Sequence, residues 1–183
     1  MAAFRRLTPD DYRWVPWKNG GGMTQDLLRV PTCGEDTHWR LSIARIDRSG
    51  PFSAYGGVER VFMPLDGDGV RLDHGRRAPT QTVAPLESAR FDGAWPTDCA
   101  LLGGPCRAFN LMLGRHHAQG ALSFRRLKGV APFAAPGAIL VLYCLAGAVQ
   151  APSLLRPGDC LCAQEGVELS GDARLIEAVI RPV

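Results

Sequence analysis

No run of apolar residues in this 183-residue chain is long enough to span a bilayer; the longest, such as Ala138 to Ala146, stop well short. The opening MAAFRRLTPDDYRW has no apolar stretch suited to a secretory signal, so a cytoplasmic location is expected. Among the six cysteines, at 33, 99, 106, 144, 160 and 162, there is no CxxC pair. A structural zinc site therefore has little support, and in a chain that is not exported the thiols are expected to be reduced. Cys160 and Cys162 lie two apart on an expected strand and should face one side, as small buried hydrophobes. His38, His74, His116 and His117 make neither HxH nor HExxH, and no GxSxG elbow occurs. Sustained 3.6-residue periodicity is missing, as are low-complexity tracts and defensible repeats. The net charge of +3 supplies no basic stripe, so nucleic acid is not an expected partner, and neither is a membrane.

What the chain does contain is turn-forming residues. Twenty-one glycines and fourteen prolines interrupt it every few residues, which suits short strands joined by tight turns. At this length folding buries about 70% of the chain surface, enough for a core without cross-links. Strands are expected at 23–30, 38–47, 60–65, 70–73, 80–83, 88–91, 99–102 and 109–113. Asp66-Gly67-Asp68-Gly69 reads as a hairpin turn between two of them. The pattern loosens at Arg115-His116-His117-Ala118-Gln119-Gly120, which divides an N-terminal half, 1–114, from a smaller half, 115–183. The second half offers strands at 121–127, 138–144, 148–151, 159–163, 167–170 and 174–180. Thr8-Pro9-Asp10-Asp11 resembles a helical N-cap with proline at the first position. The expected class is all-β, a sandwich or closed barrel.

Several residues stand out as candidates for a site. Trp17-Lys18-Asn19-Gly20-Gly21-Gly22-Met23-Thr24 places three glycines together, an entropically costly choice that fits a backbone approaching a ligand closely. Lys18 brings a cation, Asn19 an amide and Thr24 a hydroxyl, a set able to hold a carboxylate. A tight turn with an exposed lysine is the competing reading. On the strand at 39–46, Trp39, Leu41 and Ile43 alternate with Arg40, Ser42 and Ala44, as on a strand lining a cavity. Arg60 opens the next strong strand. Inside a barrel it needs an anionic partner, either a ligand carboxylate or Glu59, Asp66 or Asp68 in a structural pair. Asn110 and Met112 share a face opposite Phe109, Leu111 and Leu113, suited to a cavity wall or to an edge strand. For catalysis a general base is needed, and Asp26, Glu59 and His74 have no visible activating partner.

Three blocks, WKNGGGMTQDLLRV at 17–30, WRLSIARIDRSGPFSAYGGVERVFMPLDGDGVRL at 39–72 and FDGAWPTDCALLGGPCRAFNLMLGR at 91–115, resemble the HutD/Ves family in order and spacing. The turn Leu155-Arg156-Pro157-Gly158-Asp159-Cys160 is similar to the Pro-Gly-Asp turn of many cupins. The resemblance implies an all-β bicupin, two RmlC-like jelly-roll barrel halves packed as one compact unit. It also implies an accessory or regulatory role in histidine utilisation, through a small anionic metabolite such as N-formylglutamate. The positions it carries over as ligand-binding are Trp17, Lys18, Asn19, Thr24, Arg40, Ser42, Ser53, Arg60, Asn110 and Met112. No cofactor and no metal are expected, because the metal-binding cupin signature is missing. Ala108 stands where the family usually has an acid, and Gln25-Asp26 where it has glutamate after the threonine block. The alternatives are a metal-free cupin enzyme, an isomerase or hydrolase of an amino-acid derivative, and a stress-associated scaffold. A homodimer would cover exposed strand edges.

Overall fold

A computed structural model describes residues 4–17, 22–31 and 38–183. Strand is the dominant regular structure; two short 3-10 turns, Pro9–Asp11 and Gly75–Arg77, are the helical stretches among the described residues, and no described helix is long and apolar enough to cross a membrane. In chain order the strands are β1 (Phe4–Leu7), β2 (Arg13–Pro16), β3 (Met23–Val30), β4 (Trp39–Ile46), β5 (Gly50–Pro51), β6 (Val58–Pro64) and β7 (Val70–Asp73). They continue as β8 (Gln81–Val83), β9 (Ala89–Asp92), β10 (Asp98–Leu101), β11 (Cys106–Gly114), β12 (Ala118–Gln150), β13 (Leu154–Leu155) and β14 (Cys160–Pro182). The chain forms two units, one of Arg13–Ala118 and one of Gln119–Val183 together with the segment up to Tyr12.

The first unit holds a six-stranded sheet, β2-β3-β4-β11-β6-β9, and a four-stranded sheet, β5-β10-β7-β8. Alternation decides what each face of the larger sheet carries. Across β4, β11 and β6, Leu41, Leu111 and Val61 stand in one row and Ile43, Phe109 and Met63 in the next, all buried on one face. On the other face Ile46, Phe62, Ala108 and Phe91 join Val70, Leu72, Val83 and Cys99 of the smaller sheet in an apolar cluster. That cluster is the core of the unit. Burying its side chains contributes about 1.5–3 kcal/mol each for the larger ones.

The Asp66–Gly69 turn does not close a hairpin. β6 pairs with β11 and β9, whereas β7 pairs with β10 and β8 in the other sheet. The backbone reading of the turn holds, since Gly67 and Gly69 have φ of 77° and 87°. A Cβ on Gly69 would lie 2.6 Å from the Val83 carbonyl oxygen. Local turn chemistry thus supplies the reversal, while long-range pairing sends the chain across to the second sheet. Asp66 pins the corner by accepting from the Arg107 backbone N–H at 2.6 Å and from Arg107 Nε at 2.7 Å.

In the second unit the sheet order is β1-β14-β12-β13. The segments expected as separate strands at 121–127, 138–144 and 148–151 merge into β12, with positive φ at Gly129, Gly137 and Gly147. At about 3.3 Å per residue a straight 33-residue strand would reach on the order of 110 Å, so the run must bend within its unit. Leu140, Leu142, Cys144, Leu155, Leu161, Leu169 and Leu175 fill its core.

The first twelve residues depart from the expected division at 114/115. β1 pairs antiparallel with β14, from Phe4 opposite Ala163 to Leu7 opposite Cys160. Tyr12 then donates its hydroxyl to the Gly158 carbonyl at 2.7 Å, and Arg6 Nη2 donates to the buried Asp159 carboxylate at 2.8 Å. The Pro-Gly-Asp turn is therefore the dock for the N-terminal segment, an arrangement without a local sequence signal. Between these contacts Thr8 offers both its N–H and its hydroxyl to Asp11, at 2.8 and 3.0 Å, and shapes the expected proline-led turn.

Candidate functional site

Three central strands set the site. Register places Met112 opposite both Arg40 and Arg60, and Asn110 opposite both Ser42 and Phe62. Side chains directly opposite share a face. The interior face of the larger sheet thus changes along its strands, from the apolar cluster around Ala108 and Phe62 to a polar stretch around Ser42, Asn110 and Arg60.

That polar stretch lines a hollow. Of the ten positions expected at the site, Trp17, Thr24, Arg40, Ser42, Ser53, Arg60, Asn110 and Met112 all line it; Lys18 and Asn19 lie outside the described residues. Pro16, Ala44, Ile46, Phe52, Tyr55 and Phe62 complete the wall and were not singled out from sequence. Two of them had a readable signal: Ala44 continues the Arg40-Ser42 alternation, and Tyr55 follows Ser53 by two. Phe52 had none. The hollow contains about 450 Å³ of space counting its open mouth, yet the centre of a water-sized sphere reaches only about 30 Å³ of it. That is room for a small polar group and not for a whole drug-sized molecule.

Arg60 dominates the chemistry. It is 5% exposed, and its Nη2 donates to Asn110 Oδ1 at 2.8 Å. Its guanidinium carbon lies 4.8 Å from the Phe52 ring centroid and 5.1 Å from that of Phe91, an aromatic sandwich for a cation. None of the acids proposed as structural partners meets it. Glu59 pairs with Arg90, and Asp66 with Arg107. Burial lowers the Arg60 pKa to about 10; the neighbouring Arg40 charge acts in the same direction, against Tyr55 and Cys99. The charge survives at neutral pH, and it is held in the interior without a carboxylate partner among the described residues.

Other polar atoms around it are also unsatisfied. Ser42 Oγ, Ser53 Oγ and Arg60 Nε are buried with no hydrogen-bond partner among the described residues, and all three residues line the same hollow. Buried polar groups are nearly always paired, so three such atoms around one space leave it chemically able to take a polar group. Trp17 Nε1 is occupied by Thr24 Oγ1 at 2.8 Å, which fixes the indole edge-on to Phe52 with centroids 6.3 Å apart. A Cβ on Gly22 would lie 3.2 Å from that indole, so at least one residue of the triple glycine is small because Trp17 packs over it.

Arg40 differs from Arg60. Its Nε and an Nη reach Asp26 Oδ1 at 2.6 and 2.5 Å. A bulge in β3 between Asp26 and Leu28 sets this up: Asp26 stays opposite Ser42 while Arg29, instead of Leu28, comes opposite Arg40. Bulges commonly re-aim side chains beside sites in this way.

The three candidate bases do not enter the hollow. Asp26 holds Arg40, Glu59 holds Arg90, and His74 is fully buried against Phe91 and Trp95. His74 Nδ1 is hydrogen-bonded to Thr97 Oγ1 at 2.9 Å, and burial holds its pKa below the usual value. Ala108, where an acid would be usual, is 0% exposed in the apolar cluster beside the hollow. An acid there would be a charge among Phe62, Ile46 and Cys106, so alanine is the choice that keeps this core dry. Among the described residues no group of three or more His, Cys, Asp or Glu is placed to hold a metal ion. His38 and His117 stack face to face at 4.1 Å and lie outside the hollow's wall. Of the cysteines, Cys99, Cys106, Cys144 and Cys160 are buried free thiols whose pKa values burial pushes up to between about 11 and about 12. Cys162 is partly buried, and Cys33 lies outside the described residues.

Two β units, the first with a polar hollow lined by its six-stranded antiparallel sheet and by Phe52, Ser53 and Tyr55, define a cupin-type protein, a bicupin. The chain belongs to the HutD family, whose profile matches residues 9–177. It is 33% identical to an uncharacterised 21.2 kDa protein from the hutC 3′ region of Pseudomonas putida, over 99% of this chain and all of that one. Protein Ves of Citrobacter koseri is 41% identical over 86 residues, 45% of this chain and 44% of its own. Among solved structures, HutD from Pseudomonas fluorescens SBW25, determined in a formate condition, superposes with a TM-score of 0.82 at 30% identity, covering 99% and 100% of the two chains. A conserved protein of unknown function from Pseudomonas aeruginosa, PA5104, reaches 0.86 at 28%, covering 98% and 99%. YhhW of Escherichia coli, at 0.71 and 8% identity over 99% of both chains, shares the fold alone.

Proposed function

We propose that this protein is a binding module for a small anionic metabolite, with one ligand carboxylate seated on Arg60. The observation that carries the reading is a buried arginine with no carboxylate partner among the described residues, in a hollow whose other unsatisfied atoms are the Ser42 and Ser53 hydroxyls. A guanidinium fork suits a carboxylate, and two hydroxyls can each donate to one. Asn110 spends its Oδ1 on Arg60 and keeps its Nδ2 as a donor, with only a long 3.5 Å contact to the Ala108 carbonyl. The set is rich in donors and therefore selects an acceptor.

HutD membership and the hutC-region relative support an association with histidine utilisation. Within that setting the ligand is an N-formylglutamate-like acid and the role accessory or regulatory, exercised in the cytoplasm. The formate condition of the Pseudomonas fluorescens HutD structure makes formate a natural smallest probe. The test is a thermal-shift series with formate, acetate and N-formylglutamate, each with and without chelator. Ligand at about 100 times its dissociation constant should add roughly 2.7 kcal/mol of stability, unchanged by chelator. No stabilisation by any of the three acids overturns the reading.

A further inference from the structure

Arg40 and Arg60 flank Met112 in one cross-strand row, two strand spacings of about 4.8 Å apart, or roughly 10 Å between backbones. Long side chains converging on one hollow from that separation can reach the two ends of a short dicarboxylate. Their electrostatic states differ, however. Arg60 is paired with no acid among the described residues, while Arg40 gives two donors to a single oxygen of Asp26. The Arg40–Asp26 pair is itself largely shielded, its side chains 12% and 15% exposed, so its attraction is weakly screened.

From this we infer that Asp26 is a specificity-determining residue: as internal counter-ion to Arg40 it limits the hollow to one ligand carboxylate. The inference rests on the anion-binding reading and sharpens it. Arg40 and Asp26 together contribute no net charge, which leaves Arg60 as the one uncompensated cation among the described lining residues. A monoanion balances it. A short dianion that put both carboxylates inside would leave one negative charge buried close to the Asp26 carboxylate, doubly unfavourable through desolvation and like-charge repulsion. A longer dicarboxylate escapes the penalty by keeping its second acid at the mouth. The β3 bulge is part of the device, because it keeps Asp26 in line with Ser42 while the strand beyond shifts register opposite Arg40. With Asp26 made neutral, the Arg40 fork is freed and the hollow carries two cations.

The experiment compares acetate with malonate at pH 8, where malonate is a dianion, by isothermal titration of the intact protein. The wild type should bind acetate at least as tightly as malonate. Asp26→Asn should move the malonate-to-acetate affinity ratio at least tenfold towards malonate. Asp26→Glu, which retains the counter-ion, should restore the wild-type ratio, and adding Arg40→Gln to Asp26→Asn should remove the gain. Circular dichroism and melting curves identify folded variants; Asp26→Ala replaces the asparagine variant if that one does not fold. A wild type that binds acetate, with a ratio unmoved by Asp26→Asn, overturns the role of Asp26 and leaves the anion site standing. Failure of the wild type to bind either acid overturns both.

Discussion

Arg60 donates to Asn110 across two neighbouring strands at 2.8 Å, and that neutral amide is the closest thing to a counter-group the guanidinium has. A cation in this position is a liability to the empty protein. Its stacking between Phe52 and Phe91 offsets part of the desolvation, and the remainder is available to a ligand.

Replacing Arg60 with methionine should therefore separate stability from binding. The apolar side chain fills similar volume between the two phenyl rings and removes a buried unpaired charge. The variant should be as stable as the wild type or more so, by about 1–3 kcal/mol in urea denaturation. Carboxylate-induced stabilisation should vanish in the same protein. A variant that still responds normally to formate and acetate would show that Arg60 is not the anion contact.

The same charge predicts a pH dependence. Burial lowers the Arg60 pKa from the ordinary arginine value to about 10, so between the two the unfolded chain binds more protons than the folded one at this residue. Its contribution to stability accordingly rises as pH climbs above 10 towards the ordinary arginine value, and the full penalty is present below 10. Carboxylate affinity follows the opposite course, being complete below pH 10 and falling above it as the guanidinium loses its proton. Titration calorimetry between pH 8 and 11 measures the second effect; affinity that is level across that range excludes Arg60 as the titrating contact.

Ser42→Ala tests the orphan hydroxyls. Ser42 Oγ has no protein partner and the residue is 1% exposed, so deletion should change the ligand-free stability by less than about 1 kcal/mol. Carboxylate affinity should fall by roughly ten- to a hundredfold, the usual worth of one hydrogen bond to a charged group, about 1.5–3 kcal/mol. A large loss of stability without ligand would instead place the hydroxyl in the fold's own hydrogen bonding.

Gly93 supports the wall without touching the guest. A Cβ there would lie 2.8 Å from the Tyr55 carbonyl oxygen, 2.9 Å from that of Val58 and 3.5 Å from Arg60 Cγ. The Gly93 N–H also donates to Val58 O at 2.8 Å, and the Tyr55 N–H to Gly93 O at 2.7 Å. Gly93→Ala should therefore destabilise by about 1–3 kcal/mol and weaken carboxylate binding together, as the segment carrying Tyr55 is pushed away. Equilibrium denaturation and calorimetry on the same variant check both parts.

In the second unit, Asp159→Ala removes the acceptor for Arg6 Nη2 and for the Arg156 backbone N–H, 2.8 and 2.9 Å away. Because Arg6 is partly exposed, the loss should be moderate, about 1–3 kcal/mol. Amide exchange should rise first in Phe4–Leu7, which that pair ties to β14. Undisturbed protection of those amides would show that strand pairing alone anchors the segment.

Much of this was determined by the sequence alone. Alternation put Arg40 and Ser42 on one side of a strand, and Asn110 and Met112 on one side of another, because a pleated strand leaves each residue only two directions. Glycine and proline density pointed to an all-β chain, and the Trp17-to-Thr24 string pointed to a site whose hollow Trp17 and Thr24 do line. What tertiary structure alone decided was pairing. Nothing near Asp66–Gly69 says that the strands it joins belong to different sheets, and nothing in the first twelve residues says that they dock against Asp159. The difference between the two arginines is of the same kind. Asp26 and Arg40 are fourteen residues apart, and the one-residue bulge governing their register is invisible to a period of two. Whether an arginine is neutralised or left unpaired depends on which acid the strand order brings within three ångströms, and strand order is a property of the whole sheet.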